Sequence, residues 1–161
     1  MKKLLVIALM AVIGFSVNAQ SQKGDMAAGV NLSLGTGSGF TNFGIGAEFQ
    51  WNITDAIRLE PSVNYFLESD FVSMWDVNVD AQYVFDVANK LEVYPFVGLT
   101  VLGAKADVWG YSASSTKFGA YIGGGAQYWF TDKIAASLEV KYQLVSDFDR
   151  VVLSLGAAYK F

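Results

Sequence analysis

The feature that most constrains this chain is a two-residue alternation of apolar and polar side chains, recurring over most of its length. Trp75, Val77, Val79, Ala81, Tyr83 and Phe85 alternate with Asp76, Asn78, Asp80, Gln82 and Val84. A helix would spread those polar residues around its circumference, whereas a strand gathers them on one face. The same reading predicts eight strands, over 25–35, 42–52, 57–68, 74–86, 90–103, 117–130, 134–145 and 151–161. Each is near the roughly 9–11 residues with which a tilted strand crosses a bilayer. Tight connections at Asn52–Asp55, Val87–Asn89 and Thr131–Lys133 alternate with Gly-, Ser- and Asp-rich ones at 35–39, 68–70, 105–116 and 146–147. Both sets suit hairpins. The expected fold is all-β: an antiparallel up-and-down meander that closes into an eight-stranded transmembrane barrel and so loses its exposed edges. A weak internal echo supports the hairpin unit, since Ala47-Glu48-Phe49, Thr54-Asp55 and Val63-Asn64-Tyr65 reappear as Ala126-Gln127-Tyr128, Thr131-Asp132 and Val140-Lys141-Tyr142. Pro61 and Pro95 lie in the apolar phase of strands three and five, where the missing ladder donor calls for a bulge or local bend.

Volume then orients the faces. An eight-stranded barrel has an interior just wide enough for side chains to fill it. The apolar phase carries Phe43, Phe49, Trp51, Tyr65, Trp75, Tyr83, Phe85, Phe118, Tyr128, Phe130, Tyr142, Tyr159 and Phe161, too much bulk for that bore. The other phase is rich in Gly29, Gly44, Gly46, Ser62, Gly98, Gly119, Gly123, Gly125 and Gly156 and is expected to face inward. The aromatics also gather near the two ends of the strands, as interfacial girdles do. A soluble, lipocalin-like periplasmic binder is the rival and requires the reverse arrangement, with an apolar lumen. The lumen phase holds Glu48, Arg58, Glu60, Asp76, Asp80, Glu92, Glu139, Lys141 and Lys160, with acids in excess. Buried charges persist only when paired and hydrogen-bonded, with Tyr94 and Tyr121 the natural extra partners. A polar structural plug is the expectation, and a proton or ion path the alternative.

The N-terminus reads as a separate segment. Lys2 and Lys3 precede an apolar run from Leu4 to Phe15, and Val17-Asn18-Ala19 offers small residues for signal-peptidase cleavage before Gln20. Residues 1–19 are the expected signal peptide and 20–161 the barrel domain. The apolar run is short of the roughly 20 residues of a spanning helix. Without cysteine the chain has neither a lipid-modified cysteine nor a disulfide framework. Losing Lys2 and Lys3 takes the formal net charge from −4 to −6, which argues against nucleic acid as a partner.

The chain ends Ser154-Leu155-Gly156-Ala157-Ala158-Tyr159-Lys160-Phe161. Gly156, Tyr159 and Phe161 resemble the terminal β-signal of bacterial outer-membrane proteins. Together with Ala126-Gln127-Tyr128-Trp129-Phe130-Thr131-Asp132-Lys133 and the Thr54-Asp55 turn, they make the mature chain similar to the OmpA/OmpX-type small outer-membrane barrels. The resemblance implies an exported, integral outer-membrane protein with both termini in the periplasm, long loops outside and no open pore. It also implies recognition of the C-terminal strand by the barrel-assembly machinery, a form of strand addition. Outer-membrane lipid and lipopolysaccharide are the other expected partners, and a monomer the expected state.

Catalytic chemistry finds no support. Lipid-modifying barrels of this size, by resemblance, use histidine beside serine, and this chain has no histidine. Ser112, Ser114 and Ser115 near Lys117 read as a solvated loop rather than a nucleophile site. No cofactor or metal site is expected, because His and Cys are both absent. The glycine clusters at 35–39 and 123–125 are followed by neither Gly-Lys-Ser/Thr nor a helix, so they are not phosphate loops. The segment 105–116 is expected as the one long external loop, with Trp109 and Tyr111 as candidate surface contacts. The leading function is therefore a non-enzymatic barrel with a structural, envelope-integrity or surface-interaction role. A narrow porin-like channel is the alternative.

Overall fold

The computed structural model describes residues 21–37, 39–69 and 71–161. The expected signal peptide at 1–19 and the new terminus at Gln20 lie outside the described residues. Among the described residues nine strands form: β1 (Met26–Gly37), β2 (Phe40–Asn52), β3 (Ile57–Ser69), β4 (Val72–Tyr83), β5 (Phe85–Ala88), β6 (Leu91–Val108), β7 (Tyr111–Trp129), β8 (Ile134–Val145) and β9 (Arg150–Lys160). Neighbours from β1 to β4 and from β5 to β9 pair antiparallel in chain order, β1 pairs with β9, and β4 pairs with β6 to shut the cylinder. The short β5 continues the line of β4, so the wall is eight strands around.

The alternation of the sequence becomes the two faces of the wall. Along β4, Asp76 is 0% exposed and Val77 49%, and the same contrast repeats through Asn78, Val79, Asp80 and Gln82. The exposed outer surface is made of Val30, Leu32, Ile45, Val63, Val97, Leu99, Ile122, Leu138, Val140, Leu153 and Leu155, without charge between the aromatic bands. Trp51, Tyr83, Tyr128, Phe130, Tyr159 and Phe161 form one band, with ring pairs such as Tyr83–Phe85 at 4.7 Å and Tyr128–Phe130 at 5.1 Å. Phe43, Tyr65, Trp75, Phe118 and Tyr142 lie exposed toward the other end. Bulk and grease therefore face outward, the reverse of a lipocalin-like binder. Glycines inside make room for rings: a Cβ on Gly125 would sit 2.8 Å from the Tyr94 ring, and one on Gly44 2.7 Å from Phe66.

Two expectations need correction, and a third is narrowed. Strand four, expected over 74–86, is split at Val84. The gap falls opposite Tyr94 and Pro95, between the pairs Gln82↔Phe96 and Phe85↔Val93. Pro95 has no N–H to give, and the Val84 N–H turns instead to Ala56 O at 2.7 Å. Pro61 acts alike, since the β2–β3 ladder lacks pairs at Phe49 and Gln50, where Pro61 and Glu60 stand opposite, and then resumes. Of the bulge or local bend expected at the prolines, no bulge forms at either. The ladder skips a rung and keeps its register; the shifts that do occur lie at Phe66/Ser69 and Asp86/Ala88.

The largest correction concerns 105–116, which is not a loop. β6 and β7 stay paired through Lys105↔Ser114 and Asp107↔Ser112 to Val108↔Tyr111, with a two-residue turn at Trp109-Gly110. Both turn residues have positive φ, 52° and 80°, the conformation of a type I′ hairpin turn. Serine and threonine suggested solvated coil, but here they are side chains of paired strands.

Candidate functional site: a filled lumen and a projecting hairpin

The inward residues meet across the bore in two tiers. Near the chain termini, Arg58 on β3 is wholly buried. Its Nε donates to Gln82 Oε1 at 2.6 Å, its Nη1 lies 3.5 Å from Glu92 Oε2, and its guanidinium stacks on Tyr94 at 4.6 Å. Gln50 links this tier to the wall opposite, donating to both Glu60 Oε2 and Gln127 Oε1 at 3.1 Å. Tyr94 OH donates to Glu139 Oε1 at 2.7 Å, and Tyr121 OH to Asp80 Oδ2 at 2.8 Å. Glu48 accepts from Asn31 Nδ2 at 3.0 Å, and Lys141 Nζ rests 4.8 Å from the Tyr121 ring. Each of the acids Glu48, Glu60, Asp80, Glu92 and Glu139 thus meets a hydroxyl, amide or guanidinium donor inside the bore.

The second tier sits toward the opposite end and turns on Asp76. Its Oδ1 accepts from Asn64 and Asn78, each at 2.7 Å, and its Oδ2 from Arg150 Nη2 at 2.7 Å and Gln143 at 3.3 Å. Arg150 is also braced by Gln143 Oε1 at 2.6 Å and by the Phe66 ring at 4.1 Å, over an apolar floor of Phe66, Met74 and Val152. Arg150 escaped the sequence reading because it sits at the first position of β9, one residue ahead of the strand expected from 151. The signal was its phase, an even number like the inward Val152 and Ser154. The amides Gln50, Gln82, Gln127 and Gln143 were likewise passed over, although each lies in the lumen phase. Lys160 stands at the mouth beside the termini, 3.3 Å from Asp25 and 4.8 Å from the Trp129 ring.

The C-terminal motif is fully built into the wall. Gly156 faces inward, where an added Cβ would meet Ser137 Oγ at 2.5 Å, while Tyr159 faces outward and Phe161 N donates to Met26 O at 3.1 Å. Beyond the far band the outward phase turns polar, through Gly103, Lys105 and Asp107 on β6 and Thr116, Ser114 and Ser112 on β7. From Gly103↔Thr116 to Val108↔Tyr111 the hairpin runs on for about 17 Å at strand rise, with β4 paired to β6 as far as Val72↔Ala106 and Asp107 N donating to Phe71 O at 3.1 Å. β8 leaves β7 at Gly119↔Val145, so residues 111–118 are paired on one side only. At the tip, Trp109 is 96% and Tyr111 85% exposed. The described residues hold no cluster of acidic side chains arranged to bind a metal.

Comparison with known proteins agrees with this architecture. The family described as outer membrane protein beta-barrel domain matches residues 5–161. No curated protein sequence matches the chain. Among solved structures, the N-terminal β-barrel domain of Pseudomonas aeruginosa OprF superposes with a TM-score of 0.69 at 20% identity, covering 84% of this chain and 97% of that one. Ail, the attachment invasion locus protein of Yersinia pestis, gives 0.65 at 20%, covering 87% and 100%. Neisserial surface protein A gives 0.69 at 18%, covering 85% and 96%. At such identities the likeness is one of fold.

Proposed function

This chain belongs to the outer membrane protein beta-barrel domain family and is integral to the outer membrane, and on that premise we propose that it is a non-enzymatic surface-contact barrel. The filled lumen is its rigid base and the β6–β7 hairpin its contact element. The observation that carries this reading is Trp109. A bulky residue at positive φ is strained, and such strain tends to persist where function requires it. Here the side chain gains no packing in return, since it is almost fully exposed at the tip of a two-sided ribbon. Trp and Tyr supply large, stiff contact surfaces, and the one-sided edge of residues 111–118 adds unpaired backbone groups that an extended partner could use. The tip is expected to face outward from the cell and to meet lipopolysaccharide or a surface glycan.

The bound form of Ail contains the heparin analogue sucrose octasulfate, but a polyanion fits this tip poorly. Lys105 is paired with Asp107 at 3.3 Å, and Arg150 is buried against Asp76. Stacking of Trp109 and Tyr111 on sugar rings suits the site better. Assembly would use the C-terminal strand with Gly156, Tyr159 and Phe161 as the handle, and the protein would act as a monomer. The test is deletion of 106–114. The barrel should still change gel mobility on boiling, while binding to lipopolysaccharide or to cell surfaces is lost; binding that survives the deletion removes the hairpin from the function.

A narrow channel is the second reading, favoured by Glu48 Oε1 and Asp80 Oδ1, which face the bore without a side-chain partner. It requires Arg58 and Arg150 to leave their stacks, and planar-bilayer conductance distinguishes it.

A further inference from the structure

Residues 21–25, ahead of β1, cross the mouth at which the chain's ends lie. Ser21 is only 3% exposed, and its hydroxyl donates to Glu92 Oε1 at 2.6 Å. Glu92 is itself wholly buried and takes Arg58 on its other oxygen. The rest of the segment is held at several points. Gly24 N donates to Asn52 O at 2.8 Å, Lys23 N to Asp55 Oδ1 at 2.8 Å, and Asn52 N to Asp25 O at 3.0 Å. Asp25 Oδ2 accepts from Gln22 N at 2.9 Å and from Lys160 Nζ at 3.3 Å, and Lys160 covers the Trp129 ring. Gly24, at φ 90°, makes the turn that aims Ser21 inward.

From this geometry we infer that residues 21–25 are a latch that closes this mouth of the lumen and keeps water from the Arg58–Glu92 pair. A solvated leader would leave its serine exposed, because a lone hydroxyl gains little by entering a protein unless it meets a partner there. Ser21 meets the one oxygen of Glu92 that Arg58 does not use. The latch joins three separate parts of the wall: the β2–β3 turn through Asn52 and Asp55, β6 through Glu92, and the last strand through Lys160. It depends on neither the hairpin nor a surface partner, so it stands or falls apart from the function proposed above.

The chain has no cysteine, so single introduced thiols report access directly. In protein extracted from outer membranes, Ser21→Cys should react with a small charged methanethiosulfonate at least about tenfold more slowly than Lys23→Cys, two positions along but solvent-facing. Asn52→Cys, beneath the latch, should be shielded in the full chain and react at least about tenfold faster once 21–24 are deleted. Both comparisons are made on barrels that still shift mobility on boiling. Equal rates for Ser21→Cys and Lys23→Cys would overturn the latch. So would an Asn52→Cys rate that the deletion leaves unchanged.

Discussion

β6 and β7 run without interruption through two very different settings. Between the aromatic bands each has a partner on both sides and one face packed into the bore, where Tyr94, Phe96 and Tyr121 are 1–3% exposed. Past Gly119, β7 keeps only β6 beside it, while β4 accompanies β6 as far as Ala106, and Trp109 and Tyr111 are bare at the tip. The barrel is held by cross-bore contacts that no single hairpin possesses, whereas the projecting part is held by the β6–β7 ladder, by rungs from β4 to β6 as far as Val72↔Ala106, and by a two-residue turn. Substitutions should therefore act on stability in the first region and on contacts in the second.

The sharpest test of that division is Asp76→Ala. It leaves buried Arg150 without its carboxylate and three amides without their acceptor, and breaking such a pair costs about 3–5 kcal/mol. Urea unfolding in micelles should show the loss, and an unchanged midpoint would mean the outer tier does not hold the barrel. Next comes Gly125→Val, whose Cβ would strike Tyr94 and Glu139 within 3 Å. Overpacking against a ring already bonded to Glu139 should cost about 1–3 kcal/mol by the same assay. Tyr121→Phe removes the hydroxyl that serves Asp80, with an expected loss of about 1–2 kcal/mol. Smallest is Trp109→Asn, which puts a residue suited to the left-handed turn at the tip. It should move barrel stability by less than about 0.5 kcal/mol while abolishing surface binding. If it destabilises the barrel, the two regions are not independent.

The alternation at Trp75–Phe85 was enough to place the wall and its faces, because burial on one side of a strand is a local property with a period of two. What crosses the bore was not legible. That Asp76 meets Arg150, and Arg58 meets Glu92, depends on the stagger of strands far apart in sequence, and only closure sets it. The hairpin was misjudged for a different reason. Ser112, Ala113, Ser114, Ser115 and Thr116 lack the apolar phase by which strands are recognised, since a ribbon outside the membrane buries neither face. Trp109-Gly110 between Val108 and Tyr111 was the available sign of a turn, masked because tryptophan is a poor match for the left-handed position. At Pro61 and Pro95 the effect of a missing donor was legible, but not its form.

The carboxylate of Asp76 has a consequence for the order in which this molecule is completed. It belongs to β4, and the guanidinium that it binds belongs to β9, which stands on the far side of the cylinder with β3, β2 and β1 between them along one wall. No partial sheet contains both ends of that link in contact. The strut snaps into place only when the ring is whole, so a fluorophore pair spanning β4 and β9 near these residues would signal the finishing moment of assembly rather than any earlier step.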